Sequence, residues 1–182
     1  VPIAGDTKIR LIDGSDVAVR DLVELPVDSR VFGVQEPHRP VAVAGATMAG
    51  LIVASRARRA RVTRRHEPVV TLQLSNDEVF RCGPTQLIMT RDGTFKVAEK
   101  LRPGASLRPL VTDIAPGTNG DILPIPDIAG RISTSSYKFP EIRVISNVMS
   151  DFEDMFDLEC PFTGNYGVSA KIFVYAISAA LR

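Results

Sequence analysis

The sequence has no tryptophan, two histidines (His38 and His66) and two cysteines (Cys82 and Cys160) in 182 residues. Two cysteines are too few for a disulfide framework and wrongly spaced for a zinc site. The two distant histidines supply no ligand set, so neither a metal nor a cofactor is expected. No stretch approaches the roughly 18 uninterrupted apolar residues that cross a bilayer as a helix, and no membrane role is expected. The start lacks the basic flank and apolar run of a signal peptide. It also lacks an initiator methionine, which reads as a segment excised or processed from a longer polypeptide. A net charge of +1 gives no global field to steer nucleic acid or an acidic surface. No glycine-rich phosphate loop is present, and no internal repeat of fixed period.

What remains is an ordinary globular composition, 45% hydrophobic and 24% charged, at a length that suits one domain with a proper core. Thr7 to Ile12 alternates polar and apolar residues, the period-two mark of a half-buried strand. Asp13-Gly14-Ser15 turns the chain and Val17-Ala18-Val19 returns. Val69 to Leu74 and Glu78 to Cys82 flank Asn76-Asp77 as a second hairpin; Leu87 to Thr90 and Thr94 to Val97 flank Asp92-Gly93 as a third. Ile142 to Ser146, Met155 to Leu158 and Lys171 to Tyr175 supply three late strands. Short helical turns are expected over Val19 to Leu25 and Val97 to Leu101, with a frayed one over Ala176 to Arg182. Thr112 to Ser136, rich in Pro, Gly, Asp and Ser, reads as a long loop. Strands punctuated by turns throughout predict an all-β fold.

One charge run stands out. Arg56, Arg58, Arg59, Arg61, Arg64, Arg65 and His66 fall within eleven positions. A nucleic-acid reader would interleave such a run with stacking aromatics, and only His66 qualifies. A charged, solvated strand edge is the more natural reading. Nucleic-acid contact through Arg56 to Arg65 is the alternative.

The order of these segments resembles the Hint domain, the autoprocessing module of inteins and hedgehog proteins. The opening Gly5-Asp6-Thr7, the Asp13-Gly14 turn and Val19-Arg20-Asp21-Leu22 are similar to the first intein block. Val79 to Gln86, Thr90-Arg91-Asp92-Gly93 and Leu101 to Leu107 resemble the second block, in a style found in phage inteins. Met155 to Tyr166 and Gly167 to Ala176 resemble the late blocks. The resemblance implies a compact, curved, pseudo-symmetric all-β fold over residues 1–176, with its ends close together. Residues 113–136 would be a loop in place of an endonuclease insert, and 177–182 a downstream flank.

The same resemblance implies that most of the chemistry has been replaced. The family's first-residue nucleophile corresponds to Pro2, which offers no sulfur or oxygen for the acyl shift. The second-block Thr and His correspond to Gly83 and Gln86, and Gln86 cannot shuttle a proton near neutral pH. A late-block His corresponds to Gly164; the following Asn165 then reads as a turn residue tolerant of left-handed backbone. The terminal His and cyclising Asn correspond to Tyr175 and Ala176, and Ile177 follows where an acyl acceptor belongs. Cys160 lies where a variant intein class keeps its nucleophile, but that class also has a Trp, and only Thr94 or Phe95 stands near its position. A buried, inert Cys160 is the competing reading, and Cys82 is expected in the core. Asp157 is expected to hydrogen-bond toward the old site.

These residues imply a splicing-defective intein-like domain kept as a structural or interaction insert, with flanking segments of its own host polypeptide as partners. An autocatalytic module with residual Cys160-dependent splicing or N-terminal cleavage is the alternative, so enzymatic status stays open. The expected location is cytoplasmic, or within a phage particle if the host protein is viral.

Overall fold

Two hairpins of the same design set the architecture. Strand β2 (Lys8–Arg10) turns into β3 (Asp16–Ala18) and runs directly into a 3-10 turn, Val19–Leu22. Further along, β8 (Leu87–Met89) turns into β9 (Phe95–Val97) and a second 3-10 turn, Ala98–Lys100. In each, an aspartate carboxylate accepts from the main-chain N–H two residues on: Asp13 from Ser15 at 2.9 Å, Asp92 from Thr94 at 3.0 Å. The residue after each aspartate must adopt left-handed backbone, and Gly14 (φ 89°) and Gly93 (φ 88°) do so without a Cβ penalty. The chain thus contains an internal duplication that its sequence, with no repeat of fixed period, conceals. It is the local form of the pseudo-symmetry expected above.

The computed structural model describes residues 2–23, 29–35, 51–57, 59–110, 141–160 and 163–176. It is built of β-strands in antiparallel pairs, with helix confined to the two 3-10 turns among the described residues. The remaining strands are β1 (Ile3–Ala4), β4 (Ser29–Gln35), β5 (Leu51–Ala57), β6 (Arg59–Leu74), β7 (Val79–Cys82), β10 (Ser106–Leu107), β11 (Ile142–Glu159), β12 (Asn165–Gly167) and β13 (Phe173–Tyr175). A five-stranded sheet has the order β1-β7-β6-β11-β10, with β1 also pairing β11. A four-stranded sheet has the order β12-β13-β8-β9, and β2-β3 and β4-β5 form separate two-stranded ribbons.

The long pair β6–β11 is the spine. Ile142 to Ser146 and Met155 to Leu158, expected as two strands, belong to one continuous strand of 18 residues. Its middle lacks alternation because residues 148–152 are all exposed, so no buried face imposes a period of two. Register shifts near Ile145, Asp151 and Asp154 bend it. Asp151 (φ 48°) and His66 (φ 54°) take left-handed backbone there, and the His66 ring stacks on Phe152 with centroids 4.9 Å apart. Lys171, read as the start of a late strand, is a turn residue with φ 65°.

Apolar residues of both sheets and of the β2–β3 ribbon meet in one core containing Ile3, Ile9, Leu72, Phe80, Ile88 and Tyr166. A second cluster joins Phe32 and Val34 of β4 to Met89, Leu110 and Phe173. Ala176 is buried and non-helical; the rest of the helix expected over 176–182 lies outside the described residues, as do His38, Arg58 and the loop over 113–136.

Candidate functional site

Strand β7 ends at Cys82 and β8 begins at Leu87, leaving residues 83–86 to turn the chain. The Gln86 N–H closes the turn onto the Gly83 carbonyl at 3.1 Å. That turn holds both ends of the described chain. The Gly83 N–H donates to the Pro2 carbonyl at 2.8 Å. The buried Gln86 carboxamide donates through Nε2 to the Tyr175 carbonyl at 3.1 Å and to the Leu87 carbonyl at 2.9 Å. On the far side the Ala176 N–H donates to the Gly164 carbonyl at 2.9 Å, and the Gly164 N–H to the Cys160 carbonyl at 2.8 Å. One hydrogen-bonded path therefore runs from Pro2 through Gly83, Gln86, Tyr175 and Ala176 to Gly164 and Cys160. The positions singled out from the sequence converge.

Steric fit at this turn is tight. A Cβ placed on Gly83 would lie 2.7 Å from Pro2 Cγ and 3.3 Å from Pro2 Cδ. The pyrrolidine ring occupies the space a side chain at 83 would need, so Pro2 and Gly83 are mutually adapted.

The electrostatics work against nucleophilic chemistry. Cys82 and Cys160 are both fully buried, and burial pushes both thiols well above the ordinary range; Glu159 pushes Cys160 further up. A thiol in such surroundings holds almost no thiolate at neutral pH. Gln86 Oε1 is buried without a hydrogen-bond partner. Beside the turn, β1 pairs with β11 through Ile3 opposite Phe156, which places Asp157 one residue further along. Asp157 is 5% exposed and its Oδ1 has no partner; the Tyr166 hydroxyl, also buried, has none either. Burial raises the Asp157 carboxyl, with Arg61 and Arg64 pulling the other way, and burial followed by the Asp157 charge raises the Tyr166 phenol.

A raised carboxyl has a definite sign in stability. The folded state holds the Asp157 proton more tightly than the unfolded chain, so this contribution is complete below the ordinary value of 3.8 and is lost as pH rises through the higher folded value. Asp157→Asn is therefore expected to melt a few degrees above the parent protein at neutral pH. The difference should close as the pH is lowered toward the ordinary carboxylate range. Melting curves across this range check it; an unchanged difference at all pH values would refute a buried charge at Asp157.

Asn165 corrects the sequence reading. It is not a left-handed turn residue: Gly164 takes that conformation (φ 68°), and Asn165 sits buried in β12. Its Oδ1 accepts from the Val34 N–H at 2.7 Å, and its Nδ2 donates to the Val34 carbonyl at 3.0 Å and the Thr163 carbonyl at 3.0 Å. Thr163 Oγ1 continues the network to Ser55 Oγ at 3.0 Å. A Cβ on Gly33 would come within 2.5 Å of Thr163 Oγ1, so β4 passes directly against this network. Tyr166 and Asn165 carry no local sequence signal, since their neighbours come from distant segments.

The basic run faces acids. Across β6–β11, Arg59 is opposite Glu159 and Arg61 opposite Asp157. Arg65 bridges Asp154 at 3.3 Å, and the His66 N–H donates to the same carboxylate at 3.2 Å. The β6 residues 59–68 have a strand partner on one side only among the described residues. Among these residues no group of three or more His, Cys, Asp or Glu is placed to hold a metal ion.

No family model and no curated protein matches this chain. Solved structures do. A DnaB intein from Synechocystis sp. PCC 6803 superposes with a TM-score of 0.66 at 19% identity, covering 97% of this chain and 98% of that one. An intein-like domain from Clostridium thermocellum gives 0.62 at 14% identity, covering 96% and 97%. A DnaX mini intein from Spirulina platensis gives 0.63 at 14% identity, covering 96% and 99%. The likeness spans nearly the whole chain and establishes an intein-like, all-β Hint fold.

Proposed function

We propose that this chain is an intein-like domain that has lost splicing and persists as a structural insert within a host polypeptide. The observation that carries this reading is the 83–86 turn. It holds Pro2 and Tyr175 by main-chain and carboxamide hydrogen bonds, the juxtaposition a splicing element needs. None of the groups gathered there can start or drive the reaction. Pro2 has no nucleophile, Gln86 has no titrating proton, and Ala176 has no amide to cyclise. The turn now serves to fasten Pro2 and Tyr175 together. Such closure suits an insert, since segments that enter and leave a domain side by side disturb a host's fold little.

The buried Cys160 argues against residual cleavage, because its thiol is both desolvated and set beside Glu159. The acids facing Arg61 and Arg65 favour an internally neutralised strand pair over a nucleic-acid surface.

The test is direct. Placed between two reporter domains, the segment should give only full-length fusion by gel and intact mass. Hydroxylamine or dithiothreitol should release no more upstream reporter than in a Cys160→Ala control. A ligated reporter product, or rapid Cys160-dependent release, would overturn the reading.

A further inference from the structure

The duplicated hairpins let one turn be compared with its twin. Leu11 corresponds to Thr90, Asp13 to Asp92, Gly14 to Gly93 and Ser15 to Thr94. The main chain is bonded alike in both. The Leu11 N–H donates to the Ser15 carbonyl at 2.9 Å and the Thr90 N–H to the Thr94 carbonyl at 2.7 Å. The Gly14 N–H donates to the Leu11 carbonyl at 3.0 Å and the Gly93 N–H to the Thr90 carbonyl at 2.9 Å. The side chains differ. Asp13 Oδ1 accepts from Ser15, from its N–H at 2.9 Å and its Oγ at 2.6 Å. Asp92 Oδ1 accepts the equivalent pair from Thr94, at 3.0 Å and 2.7 Å, and also meets Thr90 Oγ1. Thr90 is buried, and Leu11 in its place has no hydroxyl to offer. Thr90 Oγ1 also lies 3.0 Å from the Thr94 carbonyl, but the charged carboxylate is the stronger acceptor.

We propose that Asp13-Gly14 is a site of spontaneous aspartate isomerisation in the folded protein, and that Thr90 holds Asp92-Gly93 back from the same reaction. The main-chain nitrogen of Gly14 bonds to the side-chain carbonyl carbon of Asp13. The carboxyl hydroxyl and the nitrogen's proton leave together as water, which closes a five-membered imide. Water then opens the ring at the other carbonyl, and the main chain runs through the side chain as an isoaspartate. No cofactor or oxidant is consumed. Glycine leaves the attacking nitrogen unhindered. Residues 13–16 are exposed, and a Cβ on Gly14 would meet nothing within 4 Å, so the ring closes against no wall. To reach the nitrogen, the Asp13 carboxyl has only to swing off Ser15. The Asp92 carboxyl must also leave Thr90. Thr90, and after it Thr94, hold that carboxyl down to about 2, which depletes the protonated acid that loses water. The Asp13 carboxyl is lowered too, by Ser15. The product adds a methylene to the main chain of the β2–β3 turn and displaces its cap. Its free carboxylate is a substrate for carboxyl methyl transfer, the class of reaction that would consume it.

Site-resolved peptide mapping of the native chain, aged at mildly acid pH, tests this. Asn119-Gly120, outside the described residues, yields the same product by losing ammonia, so each peptide is scored separately. Isoaspartate at position 13 should accumulate about ten-fold faster than at 92, the effect of one hydrogen bond to a charged group. Thr90→Val removes the hydroxyl at nearly constant volume and should raise the rate at 92 toward that at 13. Circular dichroism would verify that the variant is folded. In urea, where neither turn persists, the two rates should converge. Equal rates in the native chain, no isoaspartate at 13, an unchanged rate at 92 in Thr90→Val, or a difference that survives urea would each overturn the proposal.

Discussion

Asn165→Ala is expected to lower the melting temperature by roughly 10 °C, the largest loss from any single truncation at the site. The argument rests on what the substitution strands. The carboxamide satisfies the buried Val34 N–H and carbonyl and the half-buried Thr163 carbonyl. Each buried group left without a partner costs about 1–3 kcal/mol, and even partial rescue by water leaves a net loss of about 3 kcal/mol. A domain of this kind has a total stability of about 5–15 kcal/mol, so that loss is a large fraction. The damage should also be local before it is global. Asn165 is the polar link between β12 and the β4–β5 ribbon, whose Phe32 and Val34 pack on Met89, Leu110 and Phe173. Amide exchange in residues 31–34 should accelerate well before that of Leu72 or Val70 in the central sheet. Thermal melts and hydrogen exchange together check this. A fall of under about 2 °C, or uniform exchange, would show that the clamp is dispensable.

This clamp also marks where the sequence stopped being readable. The hairpins at Asp13-Gly14 and Asp92-Gly93 were legible because the constraint is local: an aspartate that caps its own turn and a glycine that supplies positive φ. The convergence of Pro2, Gly83, Gln86, Tyr175 and Cys160 was legible only through the order of blocks that resemble the Hint family. Asn165 was not legible, because its partner is Val34, 131 residues away, and a short polar residue beside a glycine has the same local signature as a turn. The continuity of β11 was hidden for a different reason. Its middle is exposed on both faces, so the run from Ser146 to Asp154 carries no alternation to be read. The duplicated hairpins leave no repeat in the sequence because the repeated element is a backbone design; the side chains that decorate it differ.

If the proposed splicing-defective reading holds, substituting three positions together should give a site that cleaves. In a fusion with an upstream reporter, Pro2→Cys, Gly83→Thr and Gln86→His are expected to give thiol-dependent release of that reporter. The steps need different residues. The sulfur introduced at position 2 attacks the carbonyl of residue 1 and forms a thioester, while the nitrogen of residue 2 leaves and takes up a proton. A histidine at position 86 can supply that proton, which the glutamine cannot. Dithiothreitol then accepts the acyl group and frees the reporter. Steric coupling makes the order of substitution matter. Gly83→Thr alone sets a Cβ 2.7 Å from Pro2 Cγ and should destabilise by about 1–3 kcal/mol through overpacking. Adding Pro2→Cys removes the ring and should recover most of that loss, so the two substitutions are expected to be strongly non-additive. The double variant that carries Pro2→Cys and Gly83→Thr but keeps Gln86 should release reporter about 100-fold or more slowly than the triple variant, the usual contribution of a positioned general acid. Gel densitometry and intact mass over time give the rates, and melting curves give the coupling. A folded triple variant that releases no reporter would show that the backbone of the turn holds these side chains too far from the scissile carbonyl to act, so that residue identity alone does not set the chemistry of the site.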